Sequence, residues 1–465
     1  MMSFANTADN RFLTATPGRL FVANALPMML IMVMSGLLTV IDAAFLGHFV
    51  GADALAAVSV VFPVVMIPIA LSSLVGGGMS SLLARHLGAG QHSEAADVFA
   101  QAHGLALFLS LCLILAFGAG GGVIIGALTD GQPALARMSY TYLAIMVFAT
   151  PVQLLLSVHA DAWRNEGRAG LMALMSVGVT FANIALNYAL IVWLDMGVSG
   201  SAWGTALAQA LGLLLLLGLR TRGAGILSLS ALRRSRWVGK WRSILTLGAP
   251  VSLSFIGIAL VSASVIVALR LSSTSGYVDS VAAYGIVTRI FSFTFMPLMA
   301  IALATQSIVG NNVGAKLYQR SNAVLRLALT VSGLYCATVE VILLTGHSWI
   351  GRGFVTDLGV ITQVGDILRP MASLYVFAGP VLVLALYFQA IGKPGRTAAL
   401  TLTKPFLLGP LLIATLATLY GAKAIWFAFP IADGIVGAIA FWIVITCQRE
   451  GRDAVGFGLS DREEA

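Results

Sequence analysis

From Leu20 to Val40 the chain carries no charged side chain, and apolar runs of comparable length recur almost to its C-terminal end. An α-helix needs about 20 such residues to cross a bilayer, whereas a barrel strand needs only about 10 with alternating polarity. Repeated runs of the longer kind therefore restrict the chain to an all-α integral membrane protein. Composition agrees: 58% of residues are hydrophobic and 10% charged, against about 25% charged in soluble domains. Residues 1–17 lack the charged start, short apolar core and small-residue cleavage site of a secretory signal, and are expected to form a cytoplasmic N-terminal tail.

Hydropathy divides the rest into twelve expected transmembrane helices, near 18–47, 54–84, 97–127, 135–160, 168–193, 199–220, 242–271, 279–311, 321–348, 365–391, 395–420 and 422–447. The basic residues orient them. Of the 27 Lys and Arg, 21 fall in the two tails and the loops after even-numbered helices, counting Lys404 with the loop before it. The loops after odd-numbered helices hold only Arg137, Arg270, Arg352, Arg369 and Lys423, and Arg289 lies inside the eighth helix. Cationic loops stay cytoplasmic, which puts both termini inside the cell (plasma, or inner) membrane. The net charge of +8 is thus an orientation signal, and nucleic acid is not an expected partner.

The most basic stretch, residues 221–241, falls at the midpoint and reads as a cytoplasmic linker. Similar segments stand on either side of it. NALPMMLIM around Pro27 matches LGAPVSLSF around Pro250, and DALAAVSV from Asp53 matches DSVAAYGI from Asp279. ARHLGAGQ around Gly88 matches GNNVGAKL around Gly314, and GSAWGTA around Trp203 matches AKAIWFA around Trp426. The offsets drift only between 223 and 226. The expected domains are an N-lobe over 18–220 and a C-lobe over 242–447, followed by a cytoplasmic tail over 448–465. Each lobe is a six-helix bundle, and the two are related by pseudo-two-fold symmetry about the membrane normal. Repeats of this kind suit a transporter that rocks two bundles about a central site.

Several segments carry a family resemblance. VIDAAFLGHFVGADALAAVS, the LGAGQHSEA turn, RNEGRAG and ANIALNYALI resemble segments of the multidrug and toxic compound extrusion (MATE) transporters. So do AAYGIVTRIFSF, VGNNVGAK and YFQAIGKPGR in the second half. The resemblance runs from about Arg19 to Ile445 and is closer to the DinF-like branch than to the NorM branch. It implies a secondary active exporter of cationic or amphipathic compounds, working by alternating access and driven by an inward H⁺ or Na⁺ gradient.

Asp42 closes the long apolar run that begins at Leu20. A carboxylate near the bilayer centre costs about 2.5–3.5 kcal/mol on insertion scales, and residues of this kind usually serve function. Asp42 follows Pro27 by 15 residues, about 22 Å along an ideal helix, which places it in the outer half of its span. Asn183 and Asn187 are four apart and share a helix face, as do Ser201 and Thr205. The resemblance implies that Asn183, position 187 and Thr205 join Asp42 in an N-lobe cation site, and Ser201, on the same face as Thr205, is counted with them. Asn187 is the departure, because such relatives commonly have aspartate there. A lone carboxylate suits one proton better than Na⁺, so H⁺ is the favoured coupling ion. No other cofactor and no metal are expected.

In the C-lobe, Asp433 and Glu340 are the candidate second acidic site, with Arg289 available to neutralise either. Pro27 marks a helix bend, since proline removes a backbone hydrogen bond, and the Gly76–Gly77–Gly78 run marks a place of close helix approach. Gln153, Gln209, Gln306, Tyr387 and Phe45 are candidates for lining a substrate cavity. Cys112, Cys336 and Cys447 have neither disulfide nor metal spacing and read as small buried hydrophobes. The histidines do not cluster in the sequence, and no hydrolase or metalloprotease motif occurs, so the chain is not expected to be an enzyme. A flippase for lipid or lipid-linked precursors is the alternative reading, weakened by the scarcity of intramembrane arginines. Expected partners are the lipid bilayer and cationic or amphipathic small molecules, with the protein a monomer.

Overall fold

The computed structural model describes residues 10–129, 132–223, 225–272, 277–353 and 358–450. Most of the two expected tails lies outside these residues. Every described element is helical, as a chain must be when lipid offers no partner for backbone N–H and C=O groups. Among the described residues ten helices are long and apolar enough to cross a membrane, and two bent pairs bring the number to twelve.

In the first half these are α1 (Pro17–Phe45), α2 (Ala52–Gly88), α3 (His92–Leu128), the pair α4 (Pro133–Phe148) and α5 (Thr150–Asn165), α6 (Ala169–Asn187) and α7 (Gly197–Thr221). The second half has α8 (Trp241–Ser272), α9 (Tyr277–Gly314), α10 (Tyr318–Ile350), the pair α11 (Leu358–Ala372) and α12 (Ala378–Ala390), α13 (Pro394–Leu402), α14 (Gly409–Tyr420) and α15 (Ala428–Glu450). The halves repeat in detail. The bends come at equivalent places, 45° between α4 and α5 and 51° between α11 and α12. The turn after α5 uses Gly167 at φ +81°, and the turn after α12 uses Gly392 at φ +82°. Gly90 (φ +72°), after α2, has Lys316 (φ +58°) as its counterpart after α9.

Three described stretches depart from α-geometry into π-helix: Leu46–Val50, Tyr188–Trp193 and Thr403–Leu408. π-Helical turns are uncommon and are frequently found at functional sites. The first two prolong α1 and α6, and the third joins α13 to α14.

Two compact units divide the chain. The first comprises residues 1–14 and 26–252, the second residues 15–25 and 253–465. Within the first unit the core lies between α2, α3 and α5, where Val75, Met79, Leu83, Phe99, Leu105, Leu154 and Val158 are fully buried. The close approach expected of the glycine run is present. A Cβ on Gly78 would sit 2.0 Å from the Ile244 carbonyl oxygen, and one on Gly248 would sit 1.9 Å from that of Leu74. Only residues without a side chain let these backbones meet.

The stretch read as a linker is docked on this unit. Leu227 is buried in its core, its carbonyl accepts from Arg220 Nη1 at 2.6 Å, and the Lys240 amide donates to Gln101 at 2.8 Å. Arg220 also pairs with Glu166 at 2.7 Å and lies over the Phe99 and Trp163 rings. Here the sequence reading of the histidines is corrected. His103 and His159 lie 56 residues apart yet place their Nε2 atoms 3.0 Å from each other in the buried interior.

The second unit is built around α9, α10, α11 and α12. Val287, Leu298, Cys336, Val364, Ile367 and Leu368 form its core. Cys336 and Cys447 are buried as expected, but Cys112 is exposed, on a helix whose outer surface is apolar.

Candidate functional site

The sequence-predicted polar residues of the first half converge. Asp42 lies three residues before the end of α1, just ahead of the π-turn Leu46–Val50. Asn187 is the last residue of α6, just ahead of the π-turn Tyr188–Trp193. Its Nδ2 donates to Asp42 Oδ1 at 2.6 Å and to Asn183 Oδ1 at 3.0 Å. Asn183 Nδ2 donates in turn to Thr205 Oγ1 on α7 at 3.2 Å. Ser201, one turn before Thr205, is buried on the same helix.

The short bond to Asp42 is charge-assisted when the carboxylate is ionised, a kind of bond roughly twice as strong as a neutral one. Asn183 and Asn187 are fully buried, so each amide depends on the chain for partners. One group is left over: Asn187 Oδ1 is buried without a hydrogen-bond partner. The reason is Gly204. A Cβ there would stand 1.9 Å from that oxygen, so glycine admits the Asn187 side chain to its place between α6 and α7. Sequence reasoning did not single out Gly204.

A row of aromatic rings follows on the turns that continue α1 and α6. Phe49 meets Phe45 at 5.4 Å between centroids and Tyr188 at 6.4 Å, and Tyr188 meets Trp193 at 5.7 Å. Phe49, Tyr188 and Trp193 are exposed.

The first unit holds another acid within a span, half-buried, that sequence reading passed over. Asp161 on α5 pairs with Arg164 at 3.0 Å, and Arg164 and Asn165 both donate to Ser80 Oγ at 3.0 Å. A Cβ on Gly76 would fall 2.1 Å from Asp161 Oδ2. This carboxylate has a resident cation one turn away, whereas among the described residues the hydrogen-bond partner of Asp42 is the Asn187 amide.

The remaining candidates are scattered. Glu340 is a cap: its carboxylate accepts the backbone N–H of Leu374 at 3.1 Å and of Val376 at 2.8 Å. It thereby satisfies the bend between α11 and α12, where Leu374 has φ +68°. Arg289 does not neutralise Asp433. Lys404 does, and Arg289 is exposed. Lys404 is itself a correction, because it lies inside the span Pro394–Tyr420 rather than in the preceding loop. Gln306 and Tyr387 are buried in the second unit, with Gln306 donating to Gln389 at 2.8 Å, so packed interior surrounds them rather than an open cavity. Gln153 and Gln209 are half-buried. Among the described residues no three His, Cys, Asp or Glu side chains come together as a metal site.

The MatE family model matches residues 27–189 and 250–415, most of the chain and both halves of the repeat. The chain belongs to the MatE family. It is a multi-pass membrane transporter and not an enzyme. Among known relatives it is similar to the multidrug export protein MepA of Staphylococcus haemolyticus strain JCSC1435, with 23% identity over 90% of this chain and 91% of that protein. It is also similar to an FAD transporter of Shewanella oneidensis, with 25% identity over 93% and 95% of the two chains. The fold matches a MATE transporter in its straight conformation, with a TM-score of 0.85 and 21% identity over 93% and 96% of the chains. It also matches a MOP superfamily transporter from Pyrococcus furiosus described as having a binding pocket of reverse polarity, with a TM-score of 0.84 and 21% identity over 93% and 96%.

Proposed function

We propose that the protein is a secondary active exporter of drug-like cationic or amphipathic compounds, coupled to inward H⁺ movement with Asp42 as the coupling group. The observation that carries this reading is the composition of the Asp42 site. One carboxylate, held by one neutral amide, can exchange a single positive charge. Sodium prefers several hard oxygen ligands with negative charge among them, and Asn187 supplies an amide where a second acid would serve that ion. The orphaned Asn187 oxygen is one further acceptor, which favours a proton or a substrate cation over a full Na⁺ shell. Asn183, Thr205 and Ser201 position the amide, and the site composition is of the DinF-like kind.

The exposed rings of Phe49, Tyr188 and Trp193 suit organic cations, whose charge is attracted to aromatic faces. Export of drugs by the MepA relatives agrees with this assignment, as does the transporter fold. Both termini are cytoplasmic by the distribution of basic loops, and the working unit is a monomer.

The test is transport in inverted vesicles under an imposed gradient. Ethidium or rhodamine 6G movement should follow a pH gradient in the absence of Na⁺ and be lost in Asp42→Asn protein inserted at wild-type levels. An absolute Na⁺ requirement would overturn the choice of ion, and undiminished transport by Asp42→Asn would overturn the choice of residue.

A further inference from the structure

Lys404 and Asp433 stand near the middle of the spans Pro394–Tyr420 and Ala422–Cys447, in the second unit. They form an ion pair of unequal members. The Lys404 side chain is 37% exposed and that of Asp433 is 11% exposed. Among the described residues the Lys404 ammonium has only Asp433 Oδ1 as a partner, which leaves two of its three N–H donors open.

Exposed apolar side chains flank the pair along both spans: Phe406, Leu407 and Leu411 on one, Ile431, Ile435 and Trp442 on the other. In an unbroken α-helix Lys404 and Leu411, seven residues apart, would lie within about 20° of the same face. The π-turn Thr403–Leu408 separates them, because one extra residue rotates the helix beyond it by about 100°. The turn therefore sets Lys404, paired with Asp433, and the exposed Leu411 on different faces of the span. Lys404 lies inside its π-turn, whereas Asp42 and Asn187 lie just ahead of theirs.

The alkyl stem of Lys404 lines a small apolar cavity of about 10 Å³ with Val261, Gly409, Ile413, Phe429 and Ala432, room for about one water molecule at most. A ligand would therefore engage the ammonium from its exposed side, with the neighbouring exposed apolar side chains as the contact surface for an apolar body. The more accessible member of the pair is the cation, and its open groups are donors, so the group it receives is an acceptor with negative charge.

We propose that Lys404 is a second ligand-binding residue, which receives the carboxylate, phosphate or sulfonate of an amphipathic ligand while Asp433 holds the ammonium in place until the ligand's oxyanion replaces it. This assignment lies apart from the Asp42 site and goes beyond export of cations.

The test uses the full-length protein in phosphatidylcholine nanodiscs. Fluorescein is the soluble anionic probe, short-chain phosphatidylglycerol the lipid probe, and rhodamine 6G the cationic reference. Fluorescein should bind saturably, weaken by about tenfold or more in Lys404→Met, and tighten by about tenfold in Asp433→Asn, which removes the internal competitor. Each single variant leaves a charge within a membrane span without its partner and can misfold. The neutral pair Lys404→Met/Asp433→Asn avoids this, and it should fold and bind rhodamine 6G as wild type while losing fluorescein. Should phosphatidylglycerol alone bind in a Lys404-dependent way, the ligand is a lipid headgroup and the site stands. Equal binding of both anionic probes by wild type and the double variant overturns the proposal, as does weaker fluorescein binding in Asp433→Asn. Failure of the Asp42 assignment would show separately, as rhodamine 6G transport indifferent to Asp42→Asn.

Discussion

Gly204→Ala is the most searching single-methyl test of the Asp42 network. The added Cβ would sit 1.9 Å from Asn187 Oδ1 and 3.3 Å from the Asn187 backbone nitrogen. Neither α6 nor α7 can yield cheaply, because the backbone as well as the side chain is in the way. The Asn187 side chain must therefore leave its position, and the 2.6 Å bond to Asp42 goes with it. A hydrogen bond to a charged group contributes about 1.5–3 kcal/mol, and overpacking a well-filled interior costs about 1–3 kcal/mol. Alanine returns about 1 kcal/mol of helix propensity over glycine. The net loss is about 1.5–5 kcal/mol. Gly218 lies on the same helix with nothing within 4 Å of its would-be Cβ, so Gly218→Ala keeps only the propensity gain. The assay is paired: thermal inactivation in detergent, and ethidium efflux from an efflux-deficient host at matched expression. Gly204→Ala should inactivate several degrees lower and lose most of its efflux, while Gly218→Ala matches or exceeds wild type in both. Wild-type efflux from a stable Gly204→Ala protein would mean that the Asn187–Asp42 bond is not needed for transport.

Asn187→Asp places a second carboxylate beside Asp42, and vesicle transport should then become stimulated by Na⁺; a response to pH gradient alone, unchanged from wild type, would contradict the ligand-count reasoning. Glu340→Ala leaves the Leu374 and Val376 N–H groups without their acceptor, at about 1–3 kcal/mol for each that is buried, so thermal stability should fall with the ion dependence of transport unaltered. Arg220→Met strands Glu166, whose side chain is 1% exposed, in an uncompensated burial worth about 3–5 kcal/mol. Its measurable consequence is poor yield of monodisperse protein, largely restored by Arg220→Met/Glu166→Gln.

Much of the first-half site was legible because its residues violate their surroundings. Asp42 is a charge at the end of an uncharged run, and Asn183 and Asn187 repeat at helical spacing in a segment that is otherwise apolar. The family motifs and the internal repeat gave the fold for the same reason, since hydropathy at the scale of a bilayer is a strong signal. The features that stayed hidden depend on geometry below that scale. Lys404 was assigned to a loop because the first turns of its span, PGRTAALTLTK, are polar and basic enough to blur the boundary. Gly204 is one of 49 glycines, and only the neighbouring helix marks it out. His103 and His159 meet through packing of α3 on α5, for which no local pattern exists. Asp161 could have been suspected from its place in HADAWRN, but its partner Arg164 reads as a cytoplasmic cation.

The π-turns make facing a matter of residue count. A π-turn is one residue too long for the helix it interrupts, so deleting a single residue there returns the segment to α-geometry and rotates everything beyond it by about 100°. For Thr403–Leu408 such a deletion would turn Lys404 and Leu411 onto a common face with no change in either side chain. A chain of this fold can thus gain or lose the ion pair through one codon inserted or removed, an event that position-by-position comparison records as a gap and passes over. In this chain the length of the segment between Pro394 and Gly409 decides the second unit's polarity together with the identity of the residue at 404.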